Sequence, residues 1–73
     1  MDTHANDQIE HLEKIERDIA VGRERIARQR EIVSELDRSG FGTNLGRKFL
    51  DALLETQAAH EDVRKAIIAK ICG

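Results

Sequence analysis

The sequence has no proline, no tryptophan, no tyrosine, one cysteine and two phenylalanines among its 73 residues. Without proline, no residue stops a helix by lacking a backbone donor. A single cysteine, Cys72, excludes an intrachain disulfide and a cysteine-based zinc centre. It also makes a reducing, cytoplasmic setting the expected one. The longest apolar run is Ala66-Ile67-Ile68-Ala69, far short of the roughly 20 residues that span a bilayer, so no membrane association is expected. No basic start, apolar core and small-residue cleavage site open the chain, so no secretory leader is expected. The length fits one domain covering 1–73. An enclosed enzyme pocket needs more walls than such a chain supplies, so no enzymatic activity and no cofactor are expected.

Charge is what the chain has in plenty. Charged residues make up 36% of it, with 12 basic and 14 acidic side chains and a net charge of -2. A dedicated nucleic-acid binder carries a basic excess, which is missing here. The distribution is nevertheless uneven. Asp2, Asp7, Glu10, Glu13, Glu16 and Asp18 crowd the start, and Arg23, Arg25, Arg28 and Arg30 follow with only Glu24 among them. These four arginines are the candidate polyanion contact and carry nucleic-acid binding as the alternative reading. They straddle Ile26 on a helix rather than sharing a face, and no aromatic residue lies between them to stack on a base. Arginines beside an apolar seam more often extend past it and pair across an interface.

The absence of helix breakers, with abundant Glu, Arg, Ile, Leu and Ala, reads as all-α. One interruption, Ser39-Gly40-Phe41-Gly42-Thr43-Asn44, divides the chain. The expected elements are a helix over about 6–39, a turn over about 40–43 and a helix over about 44–71. The first segment carries a heptad. Leu12, Ile19, Ile26 and Val33 form one set, and Ile15, Gly22, Gln29 and Leu36 lie three residues on. The alternating spacing puts both sets on one stripe, which Ile9 and Ile32 widen. Glu10 with Lys14, Glu13 with Arg17 and Glu24 with Arg28 are acid-before-base pairs four residues apart, the favourable order. Asn6 is the expected N-cap, with frayed residues before it. Gly40 suits the left-handed position just past the first helix, with Phe41 folding back onto Leu36. Thr43 is the expected cap of the second helix.

The second segment carries a broader stripe: Phe49, Leu50, Leu53, Leu54, His60, Val63, Ile67 and Ile71. A turn this short between two helices gives an antiparallel hairpin. Two helices alone leave apolar surface uncovered, so the hairpin is expected to pair into a homodimer, as a four-helix bundle or coiled coil. The expected interface seam is therefore Leu12, Ile15, Ile19, Gly22, Ile26, Gln29, Val33 and Leu36, with Phe49, Leu50, Leu53, His60, Val63, Ile67 and Ile71. Folding the chain about Phe41 sets Gly22 near His60. A seam glycine costs a helix about 1 kcal/mol relative to alanine; either it makes room for the imidazole, within reach of Gln29 or Gln57, or it is a tolerated weak spot with His60 turned to solvent.

The remaining chemistry is sparse. His4, His11 and His60 form no pair with a carboxylate at metal-ligand spacing, so no metal is expected. Cys72 has no neighbouring base in the sequence to make it a nucleophile. Gly40 and Gly42 follow no strand, so they form no phosphate-binding loop. A protein-interaction module, self-associating and acting as an adaptor or regulator of a protein partner, is the expected function.

Two resemblances accompany this reading. Arg23-Glu24-Arg25-Ile26-Ala27-Arg28-Gln29-Arg30, followed by Leu36, Gly40, Thr43, Leu50-Asp51-Ala52-Leu53-Leu54-Glu55 and His60, resembles a group of short alphaproteobacterial proteins over roughly Ile19 to Arg64. That resemblance implies a bacterial helical hairpin and carries no biochemical role. Leu50-Asp51 is also similar to the sporulation-phosphorelay aspartyl phosphatases, hairpins with a Ser-Gln-x-Leu-Asp motif on the second helix. Arg47 and Lys48 stand where that motif has Ser and Gln. It implies a phosphatase as a further alternative, with Asp51 and His60 as the residues available for it.

Overall fold

The computed structural model describes residues 3–73, with side chains from Asn6 onward. Two helices, α1 (Thr3–Arg38) and α2 (Asn44–Cys72), make an antiparallel hairpin. Among the described residues there is no strand, and no helix is long and apolar enough to cross a membrane. The hairpin is a rod of 60 × 14 × 14 Å, which matches the roughly 54 Å that 36 helical residues span. α1 starts three residues ahead of the expected Asn6 cap, because nothing before Asn6 breaks a helix and alanine favours one.

The turn is built by backbone hydrogen bonds. Gly40 N–H donates to the Asp37 carbonyl (3.2 Å) and Phe41 N–H to the Leu36 carbonyl (3.0 Å). Gly40 has φ of +78°. This bond pair with a left-handed glycine is the Schellman closure of a helix C-terminus. The Phe41 ring stays 68% exposed, so it does not fold under Leu36 as expected. Thr43 also departs from expectation. Its side chain caps no N–H of α2, and its backbone is already helical (φ −106°, ψ −3°). Its Oγ1 instead accepts from Arg47 Nε at 2.9 Å, one turn into the helix.

Gly40→Val is expected to cost about 1 kcal/mol or more, because a β-branched residue resists the left-handed region. Gly42 has no positive φ and open space around it, so Gly42→Ala is expected to be neutral within about 0.5 kcal/mol. Paired thermal melts check both, and equal losses would contradict this closure.

Both helices place a heptad stripe in the seam. On α1, Ile15, Ile19, Ile26, Gln29 and Val33 are buried, and Leu12, Gly22, Ile32 and Leu36 are partly buried. On α2, Gly46, Leu50, Leu53, Gln57, His60, Ile67 and Ile68 are turned inward. Ile15, Ile19 and Ile67 form the tightest apolar cluster, with Leu12 packed on it. This cluster lies far from the turn, toward the open end of the hairpin.

Candidate functional site

The middle of the seam is polar, and the two helices solve this in the same way. Gln57 is buried, and its Nε2 donates to the Ile19 carbonyl of α1 at 2.9 Å. Gln29 is buried, and its Nε2 donates to the Gly46 carbonyl of α2 at 3.0 Å. Each amide sits against a glycine of the opposite helix. A Cβ on Gly22 would overlap Gln57 Oε1 and come within 2.9 Å of its Cδ. A Cβ on Gly46 would lie 3.2 Å from Val33 Cγ2 and 3.6 Å from Gln29 Nε2. Gly22 therefore supplies room that the Gln57 amide fills, whereas a side chain at Gly46 would press on Val33 and only touch Gln29; both glutamines satisfy buried donors through the opposite backbone.

This arrangement corrects the expected pairing. Gly22 makes room for Gln57, not for His60, which lies about one helical turn further along α2. The cause is the turn. The two helices are not symmetric about Phe41, because the chain enters α2 at a level below the end of α1. His60 keeps a seam position, with Nδ1 buried and without a hydrogen-bond partner among the described residues. It lies near Asp18, whose carboxyl is held below the usual range chiefly by its hydrogen bond from Lys14 Nζ at 3.0 Å, with His60 a smaller contributor.

Other expected seam positions are not covered within the hairpin. Phe49 is 57% exposed, and Val63 and Ile71 are also exposed. Their helical positions lie to the side of the seam or at its open end, where one hairpin has no second helix to cover them. Leu45, expected nowhere in the seam, is 82% exposed.

These exposures have a pattern that the broad apolar stripe of α2 concealed. Leu45, Phe49, Ala52, Thr56, Ala59, Val63 and Ala66 recur at alternating spacings of four and three, and all are exposed. The row carries no charge until Lys70. α2 thus has two adjacent stripes, one against α1 and one facing solvent. The row was legible in principle, since its period is the same as that of the seam.

The arginine stretch does not gather. Arg23 shares a groove with Glu16, Ile19, Glu61, Arg64 and Lys65. Arg25 and Arg28 line the opposite groove with Glu24, Gln29, Phe49 and Leu53. Arg30 lies two turns beyond Arg23 on the same side of α1, among Glu31, Glu35 and Arg38. Arg28 is 3.4 Å from Glu31 and Arg64 is 3.2 Å from Glu16. Both pairs are exposed and contribute at most about 1 kcal/mol each.

Asp51 is exposed, on the side of α2 away from the seam position of His60. Arg47, which stands at the Ser position of the phosphatase motif, is engaged with Thr43. The side chain of His4 lies outside the described residues. No group of three or more His, Cys, Asp or Glu that could hold a metal ion occurs among the described residues. Cys72 is an exposed free thiol. No family model, curated protein or solved structure matches the chain.

Proposed function

We propose that the protein is an interaction module, a helical hairpin that self-associates and through its assembled surface serves as an adaptor or regulator of another protein. The observation that carries this reading is the uncharged row on α2 from Leu45 to Ala66, whose large members Leu45, Phe49 and Val63 are exposed. Single exposed apolar residues are ordinary on a protein surface, whereas a contiguous row at heptad spacing marks a helix-packing face. The small size of the chain supports the same reading. Two helices bury only one side of each, and hairpins of this length gain stability by covering the other.

Light scattering coupled to gel filtration tests it. The expected result is a mass above that of one chain at micromolar concentration. A monomer that remains fully helical at high concentration would remove self-association from the reading.

A further inference from the structure

We infer that the exposed row of α2 is the docking surface for the same row of a second copy, packed antiparallel about a twofold axis that passes between Thr56 and Ala59. This deepens the proposed function and rests on it, since it names the face and geometry of the association.

Side-chain sizes along the row suit this docking. An antiparallel pair about that point sets residues at equal distances from it against one another. Phe49 then meets the partner's Ala66, Val63 meets the partner's Ala52, and Thr56 meets the partner's Ala59. From Phe49 to Ala66 every larger side chain faces a smaller one, which is how facing helices interdigitate at close approach, and at the two ends Leu45 lies level with the partner's Lys70. A parallel pair would instead set Phe49 on Phe49 and Ala59 on Ala59, alternating bulges with gaps.

Charges on α1 bear on the docking independently of side-chain size. In the hairpin Gly22 lies level with Gln57, so the same axis crosses α1 at Val21 and Gly22. The α2 row lies on the side of the hairpin that carries the Arg25, Arg28, Phe49 and Leu53 groove. The two α1 helices therefore come onto one side of the dimer. Val21, 44% exposed in the hairpin, faces the partner's Val21. Asp18 lies level with the partner's Arg25, and Arg25 with the partner's Asp18. Opposite charges thus meet in two symmetry-related pairs beside the axis, while further out on the same face Lys14 comes level with the partner's Arg28, a like-charge pair that solvent screens. On the outer, water-facing edge Glu55 comes near the partner's Asp62. That contact is unfavourable, but it lies where water and salt screen it.

The row from Leu45 to Lys70 runs about 38 Å at about 1.5 Å per residue, and two helices make a face about 20 Å wide, so roughly 760 Å² is available. A standard stable interface takes about 800 Å² from each partner.

The test combines mass, cross-linking and one surface variant, all on the full chain with Cys72→Ser to remove the native thiol. Ala59→Cys is expected to form a covalent dimer with a short bis-maleimide, because the two copies of this position lie beside the axis. Leu45→Cys is expected not to, because its two copies lie about 38 Å apart along the helices. Phe49→Glu, at a position the hairpin itself leaves exposed, is expected to weaken dimerisation at least tenfold while helicity by circular dichroism is retained. Cross-linking at both cysteines in a dimer would establish a parallel pair. A dimer indifferent to Phe49→Glu and uncross-linked at position 59 would place the interface on another face. Either result overturns this docking and leaves self-association standing. A monomeric parent chain overturns both.

Discussion

Ile19→Asp is expected to unfold the hairpin at room temperature. Ile19 is 4% exposed and belongs to the cluster with Ile15 and Ile67, and its own carbonyl receives the Gln57 amide. The variant removes the apolar contact, about 2–5 kcal/mol for a large-to-small change at a buried isoleucine. It also buries a carboxylate that must either lose its charge or draw water into the seam. A chain of this size has little stability beyond that to lose. Far-ultraviolet circular dichroism should show most of the helical signal gone. Ile9→Asp, at a position 46% exposed near the start of α1, is the matched control and should melt within about 0.5 kcal/mol of the parent. Equal melting of both variants would show that the seam stripe is misassigned.

Gly22→Leu is the second large effect, and it reports on register. The new side chain must occupy the space held by the Gln57 amide. Displacing that amide breaks its bond to the Ile19 carbonyl and leaves a buried donor unpaired, about 1–3 kcal/mol. Overpacking the seam adds about 1–3 kcal/mol, and helix propensity returns at most about 1 kcal/mol. The expected net loss is about 3 kcal/mol. Gln57→Ala in the same chain should recover about half of it, because the clashing group is then gone, whereas His60→Ala should recover nothing. A denaturant-based double-mutant cycle measures both couplings. Rescue by His60→Ala and not by Gln57→Ala would restore the pairing that a fold about Phe41 suggests.

That contrast marks how far the sequence can be read. The helices, the Gly40 closure and the α1 stripe are legible because each is local: heptad spacing, one left-handed glycine and the absence of proline settle them within a few residues. The partner of Gly22 is not local. It depends on how far the chain climbs between the last turn of α1 and the first of α2, and an offset of one turn exchanges Gln57 for His60. The α2 stripe was blurred for a different reason. Two rows of heptad period lie side by side, so Phe49 and Val63 of the outer row merge with Leu50, Leu53 and Ile67 of the inner one. The glutamines were legible only as polar interruptions. That each faces a glycine on the other helix requires the register first.

The same amides act as keys to that register. Sliding α2 by one heptad in one direction would bring Gln57 against Gln29, and in the other against Ile15. Both leave a buried amide without the carbonyl and the empty space it now has. Apolar seams of similar residues slip cheaply, and the two amide–carbonyl bonds, with the close fit of Gln57 on Gly22, make slippage costly in either direction.

Pulled apart by its two ends, this hairpin would open as a zipper does. Load would fall on one rung at a time: first Leu12 against Ile67, then the isoleucines, then Gln57 on Gly22, then Gln29 on Gly46, with the Gly40 bend the last to feel it. Resistance to tension would therefore be set by the strongest single rung, however many rungs there are. In the reverse direction, each rung closes only a slightly longer loop than the one before, so folding can proceed from the bend outward with a small entropic step at every stage.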